Sequence, residues 1–191
     1  IPMNTRNLVR ASGAALFAVA LALPASAREL SGVTMPDTMT VGEKTLKLNG
    51  MGLRKKAIFK VYVAGLYVEA PSKDAAAILA ADAARIVKMQ YLRNVEKAKI
   101  TEAFREGFEN NAKELAARQK ANIDRMIAAV PDLKDGETMS FTYVPGKGTT
   151  LSHNGKDLLS VEGKEFADTV FLLWLGPKPP SDDLKKGLLG G

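Results

Sequence analysis

Residues 49–69 read Asn49-Gly50-Met51-Gly52-Leu53-Arg54-Lys55-Lys56-Ala57-Ile58-Phe59-Lys60-Val61-Tyr62-Val63-Ala64-Gly65-Leu66-Tyr67-Val68-Glu69. From Ile58 onward the run is rich in β-branched and aromatic residues and has no proline, which predicts a long strand buried on at least one side. Alternate residues share a face, so Ile58, Lys60, Tyr62, Ala64, Leu66 and Val68 point one way, and Phe59, Val61, Val63, Gly65 and Tyr67 the other. Before it, Gly50 and Gly52 stand at alternate positions leading to Arg54, so backbone can approach closely just where a permanent cation is delivered.

A straight strand would hold Arg54 and Tyr62 roughly 26 Å apart. They meet only if the chain turns near residues 55–57. A buried phenol seeks a hydrogen-bond partner, and a guanidinium offers forked donors that suit a carboxylate or enolate oxygen. The plainer reading of the same residue types is a core tyrosine and a solvated arginine at a strand end.

The pattern Gly50-x-Gly52-x-Arg54 followed by residues 59–68 resembles the signature of the chalcone isomerase-like family, in particular its bacterial secreted members and its plant fatty-acid-binding members. The likeness continues in the order of later features: a strand ending at Arg93, a helix carrying Glu102-x-Phe104-x-x-Gly107-Phe108, a β-hairpin, and a helix closing on Leu175-Gly176. It implies an α+β fold, the open-faced sandwich of a curved antiparallel sheet with a helical layer on one face. A ligand cleft would lie between the two layers.

The opening residues carry a targeting pattern. After Ile1-Pro2, Met3 begins a short basic region with Arg6 and Arg10, then an apolar run from Ala14 to Leu23, then Ala25-Ser26-Ala27. A small-x-small ending is the form a secretory signal peptidase cuts, and the apolar run is short of the ~20 residues a bilayer span needs. Residues 1–27 are thus expected to be a cleaved signal peptide, with a periplasmic or secreted product. Residues 28–180 are expected to form the domain, and 181–191 a short C-terminal helix and tail.

Loss of Arg6 and Arg10 lowers the formal charge from +6 to +4. Such a surplus suits solubility, an anionic ligand or a transient membrane surface. Basic residues are scattered among acids with no aromatic stripe, which argues against nucleic acid. Cysteine is absent, so no disulfide, thiolate metal site or Cys nucleophile can form. Nothing in the sequence calls for a cofactor, and no feature signals an oligomer.

Along the rest of the chain, Arg28 to Pro36 reads as extended and partly loose, with Val33 and Met35 as first contacts. Residues 39–41 and 45–48 read as a hairpin. Ser72 is the expected cap of a short helix over 73–81. Residues 85–92 alternate as a half-buried strand, with Val87, Met89 and Tyr91 on one face. That strand ends at Arg93, a second cation able to reach a cleft; pairing with a nearby acid is its commoner fate.

A helix over 96–110 places Ile100, Phe104, Gly107 and Phe108 on one stripe. Phe108 suits packing on the sheet, Phe104 either packing or a pocket wall, and Gly107 close approach to the sheet. Further helical residues run to Val130, strand residues from Thr138 to Val144, and Asn154-Gly155 turns a hairpin. His153, the lone histidine, sits beside that turn and cannot hold a metal by itself. Gly163 begins the last long helix, with Phe166, Val170, Phe171 and Trp174 facing inward. Ser181 caps a short terminal helix before Gly190-Gly191 frays.

Carried over by position, the resemblance makes Arg54 the counterpart of an arginine that stabilises the substrate oxyanion in plant isomerases and meets the lipid carboxylate in fatty-acid-binding relatives. Tyr62 matches a threonine in the former and a tyrosine in the latter. The isomerases' helix tyrosine and asparagine fall at Glu96 and Ala103, and a substrate-contacting Thr or Ser falls at about Leu173. Those departures remove most positioning groups for flavonoid cyclisation. The expected ligand-binding set is therefore Arg54, Tyr62, Phe104, Arg93 and Trp174, for a fatty acid or similar amphipathic carboxylate held without catalysis. Two alternatives remain: an isomerase or lyase using Arg54 as electrophile and Tyr62 as proton donor, and an envelope module with no ligand.

Overall fold

The computed structural model describes residues 26–191. Apart from its last two residues, the expected signal peptide lies outside the described residues. Two sheets form. The larger has seven antiparallel strands in strictly sequential order: β3 (Thr38–Val41), β4 (Lys44–Lys56), β5 (Phe59–Val68), β6 (Arg85–Tyr91), β7 (Thr138–Val144), β8 (Gly148–His153) and β9 (Lys156–Val161). The smaller pairs β1 (Ala27–Leu30) with β2 (Val33–Pro36).

Strand β5 divides its faces as the alternation requires. Tyr62, Ala64, Leu66 and Val68 join the main core with Val87, Met89, Phe141 and the inward residues of the helices. Those helices are α1 (Ala75–Ala80), α2 (Lys97–Asn111), α3 (Lys113–Arg118), α4 (Lys120–Ala129), α5 (Lys164–Leu175) and α6 (Asp182–Leu188). Val63 and Tyr67 point to the opposite face, where they pack with Val33, Met35, Leu46 and Ile86 in a second apolar cluster.

That second cluster explains why the segment expected to be loose is ordered. Ser31 and Gly32 both take positive φ (52 and 82), the geometry of a tight hairpin turn, and Val33 and Met35 are buried beneath it. Gly65 makes room for this cover: a side chain there would come within 2.4 Å of the Met35 sulfur. The Tyr67 hydroxyl donates to the Pro36 carbonyl at 2.9 Å.

Residues 49–56, which carry two glycines and two lysines, have little intrinsic strand preference. They are nonetheless the second half of β4, held by pairing to β5 across a bulge at Asn49. Gly50 and Gly52 admit the backbone of α6: a Cβ at these positions would stand 2.1 Å from the Gly187 carbonyl oxygen and 2.3 Å from that of Leu184. The close approach read from the sequence is real, but it serves this helix. Asn49 Nδ2 bonds the Ser72 and Leu188 carbonyls at 3.0 and 2.8 Å. Leu184 and Leu188 are fully buried, and Gly190 and Gly191 bond back to Gly187 and Lys186 rather than fraying.

Other differences are local. Asp74, not Ser72, caps α1 through the Ala76 and Ala77 amides. The long helical region breaks at Gln119 into α3 and α4. Gly107 lets α2 approach α5 rather than the sheet, since a Cβ there would lie 2.6 Å from the Leu173 side chain.

Candidate ligand cavity

The chain turns at Ala57-Ile58, so Arg54 on β4 and Tyr62 on β5 become direct cross-strand partners. Residues so paired share a face of the sheet. Here that face fronts a cavity of about 290 Å³ between the sheet and helices α2 and α5, at the lower edge of the range for small-molecule sites. Its lining includes Arg54, Tyr62, Tyr91, Phe104 and Trp174.

Each position follows from an element already described. Tyr91, the last residue of β6, is the cross-strand partner of Tyr62, with ring centroids 5.4 Å apart. Phe104 meets Trp174 and Phe141 edge-on at 6.2 and 5.9 Å, so α2 and α5 supply one aromatic wall, with Phe141 of β7 packed behind it in the core. The Trp174 indole N–H donates to the Tyr62 hydroxyl oxygen at 3.2 Å. That bond occupies an acceptor position on Tyr62 and leaves its own O–H free to donate.

Electrostatics reinforce this arrangement. Burial pushes the Tyr62 hydroxyl up to about 12, against smaller opposing effects of the Trp174 bond and the Arg54 charge. Burial, helped by neighbouring Tyr62, raises Tyr91 further still. Both phenols are therefore neutral donors at neutral pH. Half-buried Arg54 donates to the Lys55 carbonyl and, among the described residues, forms no salt bridge. Most of its five N–H groups stay available. Around the opening, Lys56, Lys99 and Lys178 join Arg54 against two carboxylates, Glu102 and Glu106.

Of the five residues expected to bind ligand, the structure brings Arg54, Tyr62, Phe104 and Trp174 to one cavity. Arg93 is not brought there. Its guanidinium lies over the Phe59 ring, 4.5 Å from the centroid, and Arg93 is not among the lining residues. Phe59 itself is exposed and Leu66 is sealed in the core, so neither lines the cavity. Tyr91 was missed as a site residue although its place on the inward face, with Val87 and Met89, was readable. Ala103 and Leu173, where the resemblance puts isomerase polar groups, do line the cavity but offer it no polar side chain; Glu96 lies outside it, ahead of α2.

His153 is likewise remote, bonded through Nε2 to Glu137 at 3.1 Å. The Glu137 carboxyl is held below its usual range first by the Lys134 amide and then by this histidine. Among the described residues no group of three His, Cys, Asp or Glu side chains could hold a metal ion.

A family model described as chalcone isomerase-like matches residues 27–190. The chain belongs to the chalcone isomerase-like family. A search of curated protein sequences finds no match. Among solved structures, a fatty-acid-binding protein from Arabidopsis thaliana superposes with a TM-score of 0.67 at 18% identity, covering 86% of this chain and 96% of that one. At that identity the likeness shows the fold. In the family frame, α6 lies within the matched region, in keeping with its burial against Gly50 and Gly52.

Proposed function

We propose that this chain binds a fatty acid or similar amphipathic carboxylate in the cavity between sheet and helices, without transforming it. The observation that carries the reading is the convergence of donors that keep unspent N–H or O–H groups, Arg54 using one on the Lys55 carbonyl. Arg54, Tyr62 and Tyr91 meet at the sheet side of a cavity whose helix side offers Ile100, Phe104, Leu173 and Trp174 beside the polar Glu102, Glu106 and Asn110. A carboxylate satisfies those donors, and an alkyl tail suits those apolar side chains. Fatty-acid binding by the Arabidopsis relative supports the same ligand class. Phenols held this far above neutrality suit hydrogen-bond donation to an anion better than proton exchange with a substrate.

On the pattern of residues 1–27, we place this binding outside the cytoplasm, in the periplasm or beyond.

Calorimetric titration with saturated fatty acids of rising length tests the reading. Each methylene buried adds about 0.8 kcal/mol, roughly fourfold in affinity, until the cavity is full. Affinity that ignores chain length, or that survives Arg54→Ala combined with Tyr62→Phe, rejects it. Turnover of a flavanone precursor or enone by the intact chain, lost in Arg54→Ala, would establish the isomerase alternative instead.

A further inference from the structure

Ile58 and Phe59 are the large hydrophobic residues left exposed among the described residues, at 87% and 53%, and they are neighbours at one hairpin tip. Turn chemistry does not account for them. Ala57 takes a positive φ of 53, where Gly, Asn or Asp is the usual choice. The surrounding charge is equally unusual. Lys55 and Lys60 are direct cross-strand partners, a like-charge pairing that costs stability when nothing anionic lies between. Lys56 stands beside them, and Arg93 clamps the Phe59 ring from above. None of these four cations forms a salt bridge with a described carboxylate.

We infer that the β4–β5 tip docks on the surface of an anionic lipid bilayer, with Ile58 and Phe59 entering the interface and Lys55, Lys56, Lys60 and Arg93 resting among acidic head groups. Two apolar side chains ringed by long cationic ones match the chemistry of an interfacial anchor, because lysine stems reach outward while their ammonium groups stay at head-group level. Each basic residue near such a surface adds roughly fivefold to binding, screened by salt. Among the described residues no helix is long and apolar enough to cross a membrane, so contact here is at the surface. The tip is continuous with the cavity opening through Arg54, Lys56 and Val61, so docking would set that opening against the lipid. The docking stands on the tip alone; its use, passing an amphipathic acid between bilayer and cavity, rests on the function proposed above.

Sedimentation of the full chain with vesicles tests this, all variants sharing residues 1–25. Vesicles of phosphatidylcholine and phosphatidylglycerol in equal parts should bind the chain more tightly than phosphatidylcholine alone, and added salt should weaken the difference. Ile58→Ser with Phe59→Ser should lower partitioning by about tenfold or more, and Lys55→Ala with Lys60→Ala should cut the preference for anionic lipid by about twenty-fivefold, Lys56 and Arg93 keeping the rest. Amide exchange at residues 56–60 should slow on anionic vesicles. Both tip variants should keep wild-type fatty-acid affinity in lipid-free buffer, whereas Tyr62→Phe should weaken that affinity and leave docking intact, which separates the two proposals. Equal partitioning of wild type and tip variants, unprotected tip amides, or a lipid-free dimer that the serine variant dissociates would overturn the inference.

Discussion

Arg54 and Arg85 stand across from opposite ends of the same central strand, Arg54 opposite Tyr62 and Arg85 opposite Val68. Their surroundings differ in every respect that matters to function. Arg85 is 1% exposed. It donates to the Ile78 and Ala81 carbonyls at 3.1 and 3.0 Å and reaches Asp168 at 2.6 Å. The rings of Tyr143 and Phe171 lie 5.0 and 4.8 Å from its guanidinium carbon. Asp168 is shared with Lys164, also at 2.6 Å, so one cation ties α1, β6 and α5 together. Arg54 has a cavity in front of it, a backbone carbonyl as its hydrogen-bond partner, and donors to spare. A guanidinium that spends three donors on α1, its C-cap and α5 is a clamp, although its buried Nε has no partner among the described residues, and one with most donors left over beside a cavity is free to hold an anion.

The comparison breaks or sharpens by measurement. The largest expected effect is on the clamp: Arg85→Ala should cost about 2–5 kcal/mol in urea denaturation, because it opens a cavity in the core and strips the Ile78 and Ala81 carbonyls of their partner, Asp168 keeping Lys164. Arg54→Ala should stay within about 1 kcal/mol. Equal costs would erase the distinction. Next, Gly50→Ala should lose about 1–3 kcal/mol by forcing β4 and α6 apart, since the colliding atoms are backbone.

On the ligand side, Arg54→Ala should weaken fatty-acid binding by about 1.5–3 kcal/mol, the range for a hydrogen bond to a charged group. A folded Arg85 variant should bind as wild type does. Tyr62→Phe should cost about 1 kcal/mol of binding, since one neutral donor is removed.

The mildest expectation concerns pH. The Tyr62 hydroxyl is raised by burial from 10.0 to about 12, so its contribution to stability is fully present below pH 10 and lost as pH rises through about 12. Unfolding midpoints should therefore hold from neutrality to pH 10 and then fall, with a shallower fall in Tyr62→Phe. Binding of a carboxylate already ionised at neutral pH should be flat over the same range. A decline beginning near pH 8 would mean that the phenols ionise earlier than their burial allows.

Some of this was legible in residue order. The period-two alternation of residues 59–68 assigned Tyr62 to the inward face, and the helical spacing of Phe104 and Phe108 placed both on the buried side of α2. Asn154-Gly155, at φ 49 and 78, forms the turn its composition demands. These are local consequences of backbone geometry, and a short window contains the whole cause. Arg54 was nominated, but its position opposite Tyr62 depended on where the chain reversed. Composition points poorly to a turn made of Ala57 and Ile58. Tyr91 was placed on the right face and still overlooked, because its closeness to Tyr62 is a matter of register between two strands.

By itself the sequence determined the family pattern, the succession of strands and helices, and which side chains point inward. Only the tertiary structure decided what covers each face. It brought α6 onto Gly50 and Gly52, the β1–β2 hairpin onto Gly65, and α5 onto Gly107. It turned Arg93 away onto Phe59 and left Arg54 beside empty space. Periodicity tells a residue which way to face, but the partner it meets comes from chain distant in sequence, and that encounter is settled by packing the whole core at once.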